Sequence, residues 1–519
     1  TVRISDAGSA DTFTATWTVD GVAMASSSTA KSTSVTVPAG NHVVRLHVVD
    51  KDNSVADFST SLLTGIGNLL VTDAMLAGQA VSSVTLISSG NNAILDARGL
   101  SAAYSSYLIG GTGTSSMIGG YGYTTAYAPH DNFVDTTRSS GARVYIDSHS
   151  TATVEFSQGN NNALDFSLNS FGVQFDLSQV SPTLAGSPTQ DLANADAGGA
   201  AGAHFAKVAG RVSELDGSAF SDQLTGASGA TLMGGAGNDT YLAPVGVTTG
   251  LSVVETGNIN NDANQVLIPV DATVNGLSVA ANLEAGINVQ NSGQLIGLGS
   301  IAAANLFRDR SGSGGGTFSF TNTMSGTISG TTNISTSGNT GLIFTNQGSM
   351  SGGTGPVLSF HGDGVGSGGG IFSFINTSTG NITGGTNVST SGMGIIFNNS
   401  GSMSANSSGP ALSFRGDGVG SGGGIFSFIN TSTGTITGGT NISTLGSVGV
   451  IFNNSGSMSG ANGPALSFHG DGVGSGGGIF SFINASTGTI TGGTTISTSG
   501  SMGVIFNNSG SMSGANGPA

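Results

Sequence analysis

The chain has 519 residues, of which 89 are glycine, while only 8% are charged. Hydrophobic residues make up 37% and include 25 phenylalanines, so the low charge does not by itself indicate disorder. The 28 acidic residues outnumber the 12 basic ones and give a formal net charge of −16; without a Lys/Arg cluster, this disfavours nucleic-acid and anionic-membrane partners. The absence of cysteine excludes disulfides, thiol catalysis and cysteine-based zinc sites.

The sequence shows no transmembrane segment and no signal segment at its N-terminal end. No apolar run approaches the ~18 residues that a transmembrane helix needs, and no charged-then-apolar signal segment opens the chain. Thr1 lies inside a strand-like pattern and Ala519 lies inside a repeat. We therefore expect both ends to be truncated.

Residues 1–65 alternate apolar and polar positions between Gly-containing turns, which is typical of short antiparallel strands. In "HVVRLHVVD" one face is wholly apolar, as a sandwich strand requires, and Trp17 is predicted to be a core residue. The stretch "PAGNHVVRLHVVDKDN" resembles the close of bacterial immunoglobulin-like or PKD-type modules. That resemblance implies an immunoglobulin-like β-sandwich over residues 1–65.

Residues 66–310 contain a calcium-type repeat motif. The segment "GGAGNDTYL", Gly234 to Leu242, fits the nonapeptide G-G-x-G-x-D-x-U-x at every specified position. In this motif glycines permit a tight turn, the Asp adds a carboxylate, and the apolar U residue enters the core. Oxygen-only ligands at a turn select a hard cation, so the motif predicts Ca²⁺. In the preceding block, "GSAFSDQLT", Asp222 takes the same position as Asp239.

Most of residues 150–306, including "GRVSELDGSAFSDQLTGASGATLMGGAGNDTYL", resembles the repeats-in-toxin (RTX, haemolysin-type calcium-binding) proteins. The resemblance implies a parallel β-roll over residues 66–310 that folds on binding calcium, usually after type I secretion. Its metal ligands carry over to Gly235, Gly237 and Asp239, and to Asp222. A second array, "GGTGTSSMIGGYGYTTAY", has Ser115 and Thr124 at the Asp positions, so a degenerate, metal-free β-roll remains an alternative.

Residues 311–519 form a near-identical repeat. The motif "FSF" begins at Phe318, Phe372, Phe426 and Phe480, at steps of 54 residues, which indicates stacked repeats. Each repeat predicts two coils, because Gly380, Gly401 and Gly434 occupy equivalent points. The phenylalanines are predicted to point inward and Ile371 and Ile375 outward.

The asparagines that follow these strands, Asn322, Asn376, Asn430 and Asn484, are predicted to stack as a ladder. The cadence of the repeat resembles the passenger and haemagglutinin-type β-helices of secreted bacterial surface proteins. That resemblance implies a parallel β-helix over residues 311–519.

The enzyme signals in the sequence are weak. Each later repeat contains a G-x-G-x-x-G pattern, such as Gly364 to Gly369, but a strand follows it where a nucleotide site needs a helix. No H-E-x-x-H motif occurs, and the repeats have almost no charge and no Trp or Tyr. We therefore expect no catalytic residues and no enzyme within this chain.

Together these patterns predict an all-β chain: an immunoglobulin-like sandwich, then a parallel β-roll and a parallel β-helix. The expected function is that of a non-enzymatic, calcium-binding part of a large extracellular bacterial surface or adhesin-type protein, with the solenoid as spacer. Its expected partners are calcium ions and cell-surface glycans, host or matrix proteins, or further copies of itself. The alternative is a set of secretion and attachment modules of an exported hydrolase whose catalytic domain lies outside this chain.

Overall fold

A computed structural model describes most of the chain, in two compact units, Thr1–Ala219 and Phe220–Ala519. The described residues are 2–3, 13–27, 32–33, 35–50, 54–111, 113–130, 132–148, 151–192, 204–255, 263–282, 286–309, 318–337, 341–353, 355–363, 370–406, 409–418, 425–446, 448–461, 463–472 and 478–514. The glycine-rich turn predicted at Gly364 to Gly369 lies outside them. Within these residues the fold is all-β, with two short 3-10 helices, Asp73–Leu76 and Leu177–Gln179, and no α-helix. No described helix is long and apolar enough to cross a membrane.

The first unit begins with antiparallel strands. Their bounds are Val2–Arg3, Phe13–Val19, Val22–Ser27, Ser32–Thr33, Gly40–Asp50 and Val55–Gly65. Trp17 packs in a core with Ala15, Val44 and Leu46, as the sequence predicts. The last strand, Val55–Gly65, also pairs in parallel with Ser83–Ser88. These strands therefore continue directly into the coils that follow, and an immunoglobulin-like sandwich is not confirmed.

Two parallel sheets form the coils of the first unit. Sheet A contains Ser83–Ser88, Ser105–Ile109, Tyr123–Ala128, Gly141–Ile146, Asn162–Asp165 and Glu214–Asp216. Sheet B contains Leu69–Thr72, Ile94–Gly99, Ser116–Ile118, Phe133–Thr136, Thr151–Phe156 and Phe205–Ala209, with Thr189–Asp191 antiparallel at its edge. A further strand spans Gln174–Asp176. Alternate residues of sheet A, such as Leu108, Ala126 and Val144, are fully buried between the sheets.

The second unit is a parallel β-helix with three strands in each coil of its repeat region. Sheet C contains Gln223–Thr225, Thr240–Leu242, Ala263–Ile268, Gly286–Asn291, Phe318–Asn322, Leu342–Asn346, Ile371–Asn376, Gly394–Asn399, Ile425–Asn430, Gly449–Asn454, Ile479–Asn484 and Gly503–Asn508. Thr231–Met233, Gly246–Glu255 and Ala272–Asn282 form the start of the opposite side, which then divides into two sheets.

Sheet D contains the three-residue strands Gln294–Ile296, Thr327–Ser329, Ser349–Ser351, Asn381–Thr383, Ser402–Ser404, Thr435–Thr437, Ser457–Ser459, Thr489–Thr491 and Ser511–Ser513. Sheet E contains Ala304–Asp309, Thr332–Ser337, Leu358–Asp363, Thr386–Ser391, Leu412–Gly418, Thr440–Gly446, Leu466–Gly472 and Thr494–Gly500. The pairing of Asn381 with Ser402 and of Ser402 with Thr435 confirms two coils in each 54-residue repeat.

Aromatic stacking fills the interior of the second unit. Phe372 and Phe374 are fully buried, whereas Ile371 is half exposed, so the predicted inward and outward faces are confirmed. Phenylalanines of successive coils stack with their rings nearly parallel; Phe374 and Phe397, for example, have centroids 4.5 Å apart. Stacking in register requires each coil to place the same residue type at the same height, which the repeat ensures.

The predicted asparagine ladder exists and is denser than expected. From Asn291 onward it has one asparagine in every coil, each donating from Nδ2 to Oδ1 of the next over 2.8 to 2.9 Å, and all are buried except the last, which only accepts: Asn291, Asn322, Asn346, Asn376, Asn399, Asn430, Asn454, Asn484 and Asn508. A glycine follows the ladder asparagine in the chain, because the ladder leaves no room for a side chain at that position. A Cβ at Gly380 would lie 2.2 Å from Oδ1 of Asn376.

Candidate functional site

The predicted calcium ligands lie in two neighbouring coils at the start of the second unit. Gly235 and Gly237 have φ of +96° and +118°, the left-handed backbone that the turn of the motif requires. Asp222 and Asp239 directly precede the strands Gln223–Thr225 and Thr240–Leu242, which pair in parallel. Both carboxylates are buried.

In the structure these aspartates lie where the parallel strands begin, and side-chain oxygens accept the backbone N–H groups there. The backbone N–H of Asp222 donates to Oδ1 of Asp239 at 2.9 Å. In turn, the N–H of Asp239 donates to Oδ1 of Asn264 in the following coil at 2.7 Å. The first unit repeats the arrangement, since the N–H of Ser115 donates to Oδ1 of Asn132 at 3.1 Å. A neutral amide thus serves this position as well as a carboxylate does.

A buried tyrosine adjoins the same turn. Tyr241 donates its hydroxyl proton to Oε2 of Glu255 at 2.6 Å and accepts the N–H of Gly234 at 2.8 Å. Burial raises the pKa of Tyr241 well above its usual value, and the charges of Glu255 and Asp239 raise it further. The buried hydroxyl of Tyr241 therefore both donates and accepts a hydrogen bond at this turn.

The carboxylate oxygens at this turn are of the kind that a hard cation binds, but only two side chains provide them. Calcium takes six to eight oxygen ligands, and the two coils contribute two aspartates, one of which already accepts a backbone hydrogen bond. Within the described parts of the chain, no group of three or more His, Cys, Asp or Glu side chains could hold a metal ion. The described side chains of this turn therefore supply at most two aspartates to a calcium ion, and the other oxygen ligands would have to come from backbone carbonyls or water.

A second polar cluster lies on the outer side of sheet A, where sequence reasoning predicted nothing. Parallel register places Tyr107, Thr125, Arg143, Ala163 and Glu214 in one column, and Ile109, Tyr127, Tyr145, Asp165 and Asp216 in the next. Tyr123 lies on the same side of the sheet. We call these residues together the tyrosine–carboxylate face: Tyr107, Tyr123, Tyr127, Arg143, Tyr145, Asp165, Glu214 and Asp216.

Arg143 is the centre of this face. Its Nη1 donates to Oδ2 of Asp165 at 2.6 Å and also to Oδ2 of Asp216, while its Nη2 donates to Oε1 of Glu214. With these three acids ionised against one guanidinium, the cluster has an excess of two negative charges. The partly exposed side chain of Arg143 holds the carboxylates of two coils at fixed positions.

The crowding of the carboxylates changes how they titrate. Burial raises the pKa of Asp216 to about 7; the Arg143 hydrogen bond opposes this, and the charges of Asp165 and Glu214 add to it. Burial likewise raises the pKa of Tyr145 to about 12, with Asp165 contributing. Near neutral pH this face can therefore both donate and accept protons in hydrogen bonds.

The tyrosines extend the face along the coils. The rings of Tyr127 and Tyr145 stack with centroids 4.6 Å apart and planes 3° from parallel. Burial raises the pKa of Tyr123 and of Tyr127, so both phenols stay protonated donors at neutral pH. The result is a row of phenol groups that leads to the three acids around Arg143.

One signal in the sequence could have revealed this face. Six of the seven tyrosines of the chain lie between Tyr104 and Tyr145, in a segment of regular strand alternation. The acids could not have been assigned to it, because Glu214 follows Asp165 by 49 residues without any repeat to relate them.

Comparison with known proteins adds little to this geometry. No known protein family and no curated protein matches the sequence. Among solved structures, the family 28 exopolygalacturonase of Yersinia enterocolitica aligns over 98% of this chain and 95% of its own at 9% identity, with a TM-score of 0.13. Likeness at that level supports neither a fold nor a function.

Proposed function

We propose that this chain is a non-enzymatic, secreted bacterial surface protein of the adhesin type. In this proposal the second unit is the spacer, and the tyrosine–carboxylate face of the first unit contacts the ligand. One observation carries it: polar side chains capable of recognition concentrate on that face, while residues 318–514 contain only four charged residues. Clusters of this kind on a rigid sheet are typical of binding sites.

Glycans are the ligand class that this face suits. Sugar hydroxyls both donate and accept hydrogen bonds, and the face offers phenol hydroxyls beside carboxylates held by Arg143. The excess negative charge disfavours acidic polysaccharides, because like charges would be brought together in a partly dry site. We therefore propose neutral or amino-sugar glycans on a cell surface as the partner.

A glycan array probed with the full chain tests the proposal. Replacing Tyr123 and Tyr127 together by Phe keeps both rings but removes two hydroxyls, and is expected to weaken binding about 30-fold at ~1 kcal/mol per lost hydrogen bond. The matched control replaces Tyr104 and Tyr121, which lie outside the face, by Phe. Absence of binding by the unaltered chain, or equal binding by both pairs of variants, would contradict the proposal.

The same glycans test the absence of catalysis. Incubation is expected to leave them intact. Release of new reducing ends by the unaltered chain, abolished in Asp216→Asn, would show that the face is an active site and that the chain is an enzyme.

Calcium binding at Gly235, Gly237, Asp239 and Asp222 is a separate prediction. The left-handed turn glycines and the buried carboxylates of Asp222 and Asp239 support it. Binding that occurs only in the folded state would couple folding to extracellular calcium by mass action.

A further inference from the structure

The outer side of sheet C in the repeats is an uncharged surface of protruding and recessed positions. Three outward positions of each strand form three columns along the coils. In the first column Ile371 pairs with Gly394, Ile425 with Gly449, and Ile479 with Gly503. Isoleucine and glycine thus alternate from one coil to the next.

The neighbouring columns alternate in the same way. In the second column Ser373 pairs with Ile396 and Ser427 with Ile451. Here isoleucine falls in the coils where the first column has glycine. In the third column Ile375 pairs with Asn398 and Ile429 with Asn453, while the first repeat has Thr345 before Ile375. We call this checkerboard the isoleucine face.

The isoleucines of this face are open to solvent. In the first two columns Ile343, Ile371, Ile396, Ile425, Ile451 and Ile479 are 40 to 60% exposed. Single exposed apolar residues are common on soluble proteins, but a contiguous array at one spacing is not. Large apolar arrays of this kind are typical of interaction surfaces.

The glycines of the face are not required by the coil that contains them. Gly341, Gly394, Gly449 and Gly503 have ordinary backbone conformations, and a Cβ added to any of them would meet no atom closer than 3.7 Å. By contrast, a Cβ at Gly434 would lie 2.3 Å from Oδ1 of Asn430. Within one chain, a Cβ would fit at these four face positions, so their own coils do not require glycine there.

We propose that the isoleucine face binds the isoleucine face of a second copy of this chain. An antiparallel two-fold arrangement whose axis passes between two coils sets every isoleucine of the first column opposite a glycine of the other copy. The same arrangement sets each isoleucine of the second column opposite a serine. Such self-complementarity is what an isologous dimer needs, and dry interdigitation of flat sheets is a stable way to meet it.

The size of the face is sufficient for a specific dimer. Eight strands about 4.8 Å apart, each about 17 Å long, would bury about 650 Å² per copy, or ~1,300 Å² in total, within the range of specific interfaces. The absence of charge in the checkerboard means that no buried ion has to be paired. A polyanionic partner would find no basic group in it.

Sedimentation equilibrium of the full chain over a range of concentrations tests this inference. The unaltered chain is expected to sediment at twice its mass of 50.7 kDa. The double variant Ile425→Lys and Ile479→Lys is expected to be monomeric, because four lysines would meet in one dry interface. The matched control, Thr435→Lys with Thr489→Lys, places the same charges on the exposed side of sheet D and is expected to remain dimeric.

A third variant removes any dependence on charge. Gly449→Leu fills a recess without disturbing its own coil, so it is expected to keep the circular dichroism of the unaltered chain and weaken dimerisation at least 10-fold. At ~100 µM even a weak specific dimer would form. An unaltered chain that stays monomeric at this concentration would therefore overturn the inference. A dimer unaffected by both face variants would overturn it as well. Glycan binding by the first unit is measured separately, so the two proposals fail independently.

Discussion

Asp239 shows how one side chain can satisfy a metal-binding motif and a backbone at the same time. Its carboxylate accepts the N–H of Asp222, and its own N–H is accepted by the amide of Asn264. A buried N–H left without a partner costs about 1–3 kcal/mol, so the position demands an acceptor whether or not a cation is present. The motif alone does not distinguish these roles.

Two substitutions at Asp239 separate capping from calcium binding. In the presence of a chelator, Asp239→Asn keeps the acceptor and is expected to have nearly the same free energy of unfolding as the unaltered chain. Asp239→Ala is expected to lose about 1–3 kcal/mol of that free energy. Thermal unfolding followed by circular dichroism measures both. For the calcium prediction, millimolar calcium is expected to raise the Tm of the unaltered chain but not that of Asp239→Asn. An equal response of the two proteins, or none in either, contradicts calcium ligation by Asp239.

In the repeats the strands of sheet C are only five or six residues long, and their stability comes from stacking between coils. Each contributes inward phenylalanines and one asparagine whose amide joins the ladder above and below it. Amides in such a chain polarise one another in a medium of low dielectric constant, so the loss of one member affects its neighbours. The ladder is therefore a property of the sheet and not of any single strand.

Asn399→Leu tests the ladder near its middle. The change preserves approximate size but removes the hydrogen bonds to Asn376 and Asn430, leaving buried amide groups without these partners. We expect a loss of about 2–4 kcal/mol in the free energy of unfolding, measured by denaturant titration. Asn387→Leu, on an exposed position of sheet E, is the matched control and is expected to lie within about 0.5 kcal/mol of the unaltered chain. Equal losses for the two variants would show that the ladder is not stabilising.

The repeats make the length of the second unit a function of their number. Each 54-residue repeat adds two coils that contact only their neighbours, so one repeat can be removed without altering the contacts within the others. This modular growth is what a spacer requires.

Deletion of residues 372–425 joins Ile371 to Phe426 and restores the strand sequence "IFSFIN". Because the chain has no cysteine, spin labels can be attached at Thr327→Cys and Thr489→Cys, which lie in one column of sheet D. The label separation is expected to fall from about 29 Å to about 19 Å, at ~4.8 Å per coil, in pulsed electron–electron double resonance. An unchanged separation, or loss of the strand signal in circular dichroism, would contradict a modular spacer.

The amino-acid sequence by itself determined the all-β fold, the inward phenylalanines and the asparagine ladder. These features repeat along the chain, and a repeat stacked on itself places like residues over one another, so local alternation is enough to assign them. Tertiary structure decided which unrelated residues meet. Arg143 contacts Glu214 and Asp216 only because the strand Glu214–Asp216 pairs in register with Asn162–Asp165, which lies far from it in the chain. Burial of Asp239 and the offset of isoleucine against glycine likewise depend on how neighbouring coils stack, which a single strand does not encode.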